Sequence, residues 1–371
     1  RIKLLKPNIY NRLGDKCINI NVKFLIKSKI NFILTSSAND EISYICHHFY
    51  SISMETAIAY LGFIISAYAV IANDVIQTLG TFISSNFKVK WWWLWLFAIS
   101  ILTATLFYGW YTNGGDVSYG RLNTIPLPEY MEWWYLLAPV ILLIITRLGI
   151  PVSTTFMILS VFSSGVVIEK MILKSVYGYA LSFVFAIIVY VVITRKLESP
   201  FAIEKLDKNK KKHYWLVAQW FSTGFLWSQW LIQDFANIFV FLPRQLALEE
   251  LLISLAVILL IMAYIFRKRG GKIQEIVNQK ANTKNIRSAT IIDLIYGVFL
   301  FVFGNLNSIP MSTTWVFIGI LAGRELAITY FLNKKKIKYT YIIIAKDLGK
   351  VNIGLMVSVA IAFLIQYLKE L

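Results

Sequence analysis

Two short runs place chemistry where apolar residues are expected. Ala72-Asn73-Asp74-Val75-Ile76-Gln77 and Gln233-Asp234-Phe235-Ala236-Asn237 each set a carboxylate beside amides inside a long apolar segment. An ionised side chain at the centre of a membrane helix costs on the order of 3 kcal/mol, so each acid needs a partner or a task. Carboxylate and amide oxygens together suit a hard cation such as Na⁺, and a carboxylate can alternatively carry H⁺. Asn73, Asp74, Gln77, Gln233, Asp234 and Asn237 are therefore the candidate cation-binding residues, with Asp74 and Asp234 as the expected direct ligands of Na⁺.

A second motif follows each acid. Pro151-Val152-Ser153-Thr154-Thr155 places Ser153 79 residues after Asp74, and Pro310-Met311-Ser312-Thr313-Thr314 places Ser312 78 residues after Asp234. Proline suits the first turn of a helix, where its missing N–H is no loss. The serine and threonines after it lie beside unpaired backbone N–H groups and the positive end of the helix dipole, which together make an anion site. Ser153, Thr154, Thr155, Ser312, Thr313 and Thr314 are the candidate anion-binding residues. Two different motifs recurring in the same order at nearly the same spacing mark an internal duplication.

Composition fixes the solvent. The chain is 57% hydrophobic and 15% aromatic, with mean hydropathy +0.62, and its long apolar runs predict an all-α polytopic membrane protein. Its partner is the lipid bilayer, and its expected place is the cell membrane. The net charge of +17 falls in loops between apolar segments rather than on one folded basic face, which argues against nucleic acid. No nucleophile and base pair, metal-ligand cluster or phosphate-binding loop stands out, which argues against an enzyme, and no cofactor is implied.

The elements that must position these motifs can be read in order. Both cysteines, Cys17 and Cys46, precede the first methionine, Met54. Translation is expected to start at Met54, leaving residues 1–53 as a non-native or disordered extension. Residues 54–194 form the first transmembrane repeat, 195–214 a basic linker and 215–371 the second repeat. The polar run around Gly80 predicts an interrupted first helix. Trp91–Trp110 is the next span, with its tryptophans at an interfacial belt. The segments 133–148 and 152–168 are short for a full crossing of roughly 20 residues and predict a re-entrant hairpin, as do 289–306 and 311–321. The loop Tyr111–Glu132 is acid-rich, with Arg121 its one basic residue, and a basic stretch is expected over Arg324–Lys350.

Returning each hairpin to the side it came from puts the basic loops on one face. The positive-inside rule makes that face cytoplasmic, and the two repeats then have inverted topology with both termini outside. Arg147, one turn from the first hairpin tip, is a further candidate for the anion, although its counterpart, Asn305, is uncharged. Asp293 reads as an inner hairpin edge, Arg244, Glu249 and Glu250 as an outer loop, and His213 as part of the solvated linker. Inverted repeats, interrupted helices carrying acids and hairpin helix starts at the midplane are the parts of a secondary transporter.

These residues resemble the inorganic phosphate transporter family, whose repeated signature reads Gly-Ala-Asn-Asp-Val-Ala-Asn and, downstream, Pro-Val-Ser-Thr-Thr-His. Ala72, Asn73, Asp74, Val75, Gly80 and Thr81 agree in the first copy, with Gln77 in place of the second Asn. Asp234, Ala236 and Asn237 agree in the second, with Gln233 in place of the first Asn. The His after each Thr pair is Phe156 and Trp315, and the glycine before the second acid is Leu231. The resemblance covers about 54–370. It implies symport of inorganic phosphate with Na⁺ or H⁺ as coupling ion, and it allows for a homodimer. Sulfate or another oxyanion is the alternative cargo, and a transport-incompetent receptor or structural relative is the alternative role.

Overall fold

A computed structural model describes residues 54–150, 152–194, 212–271, 274–275, 278, 285–304, 310–332 and 334–370. The extension 1–53, Pro151, most of the linker and Asn305 lie outside the described residues. The chain divides into two compact units. The larger, Tyr60–Glu129 with Trp133–Leu371, carries the site and, apart from the start of the first helix, every element below.

All of the regular structure among the described residues is helical. The elements are α1 (Met54–Ser85), α2 (Trp91–Thr112), α3 (Leu137–Arg147), a short arm running from Thr155–Leu159 into Ser160–Phe162, α4 (Gly165–Val189), α5 (Lys212–Asp234), α6 (Ala236–Phe239), α7 (Leu248–Arg267), α8 (Ile286–Gly304), α9 (Thr313–Leu332) and α10 (Ile337–Glu370). Among the described residues seven helices are long and apolar enough to cross a membrane, and the protein is a multi-pass integral membrane protein.

Several boundaries differ from the sequence expectation. The first helix is not broken at its motif: it widens into a π-turn over Ile71–Val75 and continues as an α-helix to Ser85. A π-turn shifts the side chains of one turn without freeing a run of backbone groups, so the acid is re-aimed at small cost. The second acid motif is interrupted, because α5 stops at Asp234 and α6 starts at Ala236. The first short arm stops at Phe162, and α4 begins at Gly165 rather than near Met171. The stretch expected as a basic loop, Arg324–Lys350, is mostly the end of α9 and the start of α10. Lys and Arg are good helix formers, and no proline interrupts 337–370.

Glycines set the closest helix contacts. A Cβ on Gly319 would meet Ser182 and, at 2.6 Å, the Tyr179 carbonyl oxygen, and one on Gly323 would run into the Phe183 backbone. Small residues four apart on α9 thus let it lie against α4, the usual way of packing helices where lipid removes the hydrophobic drive. The Ser182 hydroxyl donates to the Val316 carbonyl at 3.1 Å across the same contact. In matching fashion α10 packs on the short arm after Thr155. The last helix of each half therefore covers the helix that starts at the other half's Ser-Thr-Thr.

Candidate functional site

The π-turn and the interruption at Phe235 bring both acids to the two Ser-Thr-Thr starts. The Thr154 hydroxyl donates to Asp74 Oδ2, and the Thr155 hydroxyl donates to Asp234 Oδ1 at 3.1 Å. From the second copy, the Thr314 hydroxyl reaches Asp74 Oδ1 at 3.4 Å, and Thr313 lies alongside Asp234, short of hydrogen-bonding geometry. Each acid thus faces one threonine of its own half and one of the other half. The Thr155 and Thr314 hydrogen bonds are the ones that cross from one half to the acid of the other.

The amides complete it. Asn73 Nδ2 donates to Asp74 Oδ1 at 2.9 Å and to the Val152 carbonyl at 2.6 Å, which fixes the π-turn against the first Ser-Thr-Thr. Gln77 Nε2 donates to Asn73 Oδ1 at 3.1 Å. Asn237 Nδ2 donates to Asp234 Oδ1 at 3.1 Å and to Thr154 Oγ1 at 2.8 Å, so Thr154 links Asp74 to the second motif. All twelve candidate residues are buried, and eight of them are joined in this network, with Thr313 alongside Asp234. Gln233 stands apart: its Nε2 has no hydrogen-bond partner among the described residues and lies against Gly304, the last residue of α8.

The serines do a different job from the threonines. Ser153 Oγ accepts from the Phe156 N–H and Ser312 Oγ accepts from the Trp315 N–H, both at 3.3 Å. Each hydroxyl satisfies an orphan donor of a helix start, as a capping residue does. The Ser312 N–H itself donates to Ser175 Oγ on α4 at 2.9 Å. The two aromatic residues that replace the family's His meet each other, with Phe156 and Trp315 edge to face at 6.4 Å between ring centres. Both are buried, and Trp315 Nε1 has no partner among the described residues.

Two buried groups escaped the sequence reading. Arg121 belongs to the Tyr111–Glu132 loop yet is 4% exposed, and its Nη2 donates to the Gly304 carbonyl at 2.7 Å. Asp116 folds this loop inward by accepting from the Ser118 N–H at 2.6 Å and the Gly120 N–H at 2.7 Å, with Gly120 at φ +75°. Burial lowers the Arg121 pKa to about 10 against the opposing attraction of Asp234, so it stays cationic at neutral pH beside the second acid. Asp293 is not at an edge. It is 1% exposed and accepts from the hydroxyls of Thr81 on α1 and Thr223 on α5, each at 2.5 Å. Arg147, in contrast, is exposed at the end of α3, and among the described residues no hydrogen bond joins it to the network.

With this geometry in place, a comparison with solved structures is informative. The sodium-dependent phosphate transporter superposes with a TM-score of 0.52, over 84% of this chain and 98% of its own, at 18% identity. The two proteins share a fold. No protein-family model matches the sequence, and no curated protein matches it. The likeness to the phosphate transporter thus rests on the path of the helices, and the crossed acid and threonine network is read from this chain's own side chains.

Proposed function

We propose that this protein is a secondary active transporter that carries inorganic phosphate together with a cation, Na⁺ or H⁺. Its two halves are inverted repeats, and each Ser-Thr-Thr opens the second helix of a re-entrant pair. The observation that supports this most directly is the crossing of Thr154, Thr155, Thr313 and Thr314 onto Asp74 and Asp234. A site shared equally by two halves is the arrangement in which rocking one half against the other exposes cargo to alternate sides.

The charges assign the roles. Asp74 and Asp234 bring two negative charges next to hydroxyl donors, so an anion enters only when cations accompany it. Asp234 Oδ2, Asn237 Oδ1 and Gln77 Oε1 are buried acceptors with no hydrogen-bond partner among the described residues. Hard oxygens with nothing to accept suit Na⁺, and a proton would satisfy Asp234 Oδ2 alone. The anion is assigned to Ser153, Thr154, Thr155, Ser312, Thr313 and Thr314, with the Arg121 guanidinium as the positive charge of the surroundings. The transported species rests on the shared fold with a sodium-dependent phosphate transporter.

Uptake of labelled phosphate and labelled sulfate into proteoliposomes, with and without a Na⁺ gradient and with and without a proton gradient, tests this reading. Gradient-driven phosphate accumulation is expected. Sulfate accumulation without phosphate accumulation would reassign the cargo, and uptake of neither would return the protein to a receptor or structural role.

A further inference from the structure

A cavity of about 490 Å³ lies between α1 and α3 and extends to the end of α7. Among its lining residues are Tyr68, Ala72, Thr146, Arg147, Tyr264 and Lys268.

The lining has one sign. Arg147 and Lys268 bring two positive charges, and no acid is among the lining residues. Both cations end a helix, where a positive charge also offsets the dipole. That role does not explain Thr146. Its side chain is 4% exposed and lines the cavity, yet its hydroxyl has no hydrogen-bond partner among the described residues. Leaving a buried hydroxyl without a partner is unfavourable, and a ligand oxygen in the cavity would supply one. Tyr68 and Tyr264, with ring centres 6.4 Å apart, form a wall across from it. Ala72 belongs to the π-turn that carries Asp74, so the cavity reaches the back of the motif without sharing its ligands.

We infer that this cavity is a second anion site, which takes a phosphate group between Arg147 and Lys268 with Thr146 as hydroxyl donor. Two cations and a hydroxyl match the oxygens of a phosphate, and the arginine offers it a planar fork of N–H donors. The group can belong to free inorganic phosphate or to the headgroup of an anionic phospholipid. The inference does not depend on the transport reading, because none of its residues touches the acid and threonine network.

The test uses the full chain purified in a neutral detergent. Equilibrium binding of labelled inorganic phosphate is one arm. Native mass spectrometry of retained phosphatidylglycerol against phosphatidylcholine is the other. The double variant Arg147→Gln with Lys268→Gln changes two exposed side chains, and Thr146→Val keeps the shape of a buried one. In one arm or the other, the double variant is expected to weaken binding by roughly tenfold or more, and Thr146→Val by a few-fold. The phosphate arm responding identifies the free anion, and the lipid arm responding identifies the headgroup. Exchanging the cations, Arg147→Lys with Lys268→Arg, should keep most of the binding. If the double variant matches the parent in both arms, the inference is overturned. Ser153→Ala serves as the independent probe of the central site: losing phosphate there while the cavity variants still respond, or the reverse, separates the two proposals.

Discussion

Around Asp74 the donors Asn73, Gln77, Thr154 and Thr314 converge on both carboxylate oxygens, whereas around Asp234 the donors Thr155 and Asn237 share Oδ1 and leave Oδ2 without a partner among the described residues. The difference follows from the amides. In the first copy an Asn directly before the acid donates to it, while in the second a Gln in that place points away toward Gly304. One carboxylate is held by the protein, and the other keeps capacity to hold something else. On the proposed transport reading, the two copies of the motif divide into an anchor, Asp74, and a cation ligand, Asp234.

The largest expected effect breaks or keeps that division. Asp234→Asn removes the charge at the oxygen with spare capacity, so the apparent affinity for the coupling cation should fall by on the order of a hundredfold, the equivalent of about 3 kcal/mol. Asp74→Asn should lower the transport rate through the disturbed Thr154 and Asn73 contacts, with a smaller change in cation dependence. Initial uptake rates against cation concentration distinguish the two. Equal loss of cation affinity in both variants would return the two acids to equivalent roles.

A second comparison concerns packing. Gly297→Leu has no room beside Phe225 and Leu226 and should destabilise the second half by about 1 to 3 kcal/mol, seen as a lower unfolding temperature in detergent. Ala72→Leu projects into the first half's cavity and should leave that temperature nearly unchanged. Similar losses in both would mean that the cavity is not available space.

Much of this was open to reading from the sequence, and the reasons for the rest are physical. The spacing of Asp74 to Ser153 and of Asp234 to Ser312 pointed to the two segments that come together with the acids, because a duplication repeats its useful positions. Which threonine faces which acid was not legible, since that depends on how two halves close on one another rather than on either half. Arg121 was read as a loop charge because the turn that carries it inward is made by Asp116 and Gly120, a local arrangement with no periodic signal. Asp293 is misplaced from sequence because apolar residues after Ile291 lie on every side of α8 and do not mark which side meets α1 and α5. The π-turn at Ile71–Val75 was read as a break, since a polar run within an apolar one looks the same for both.

Asp293 tests whether a buried acid outside the duplication behaves like the paired ones. Its two donors hold α1 and α5 to α8, so Asp293→Asn keeps one acceptor and loses about one hydrogen bond, near 1 kcal/mol. Stability should drop slightly while the cation dependence of uptake stays that of the parent. A shift in cation dependence would place Asp293 with Asp74 and Asp234.

The smallest effect belongs to the serines, and it sharpens the comparison furthest. Ser153 and Ser312 cap matching helix starts with hydrogen bonds of equal length, so capping alone predicts equal losses on replacement by Ala. At 3.3 Å these bonds are long, and each loss should lie near 0.5 kcal/mol, the lower end for a cap. Their backbones differ. The Ser312 N–H is already given to Ser175 on α4, which holds the second helix start in place whether or not its side-chain hydroxyl is present. Ser153→Ala should therefore weaken phosphate binding more than Ser312→Ala, by a few-fold, while the two variants unfold at nearly the same temperature. Replacing Ser175 by Ala in the Ser312→Ala background should remove the difference, because the second helix start then loses its extra tie. If Ser312→Ala is the more damaging change while Ser175 is intact, the second helix start is the stronger anion donor, and the division between an anchored and a ligand-holding half does not extend from the acids to the helix starts.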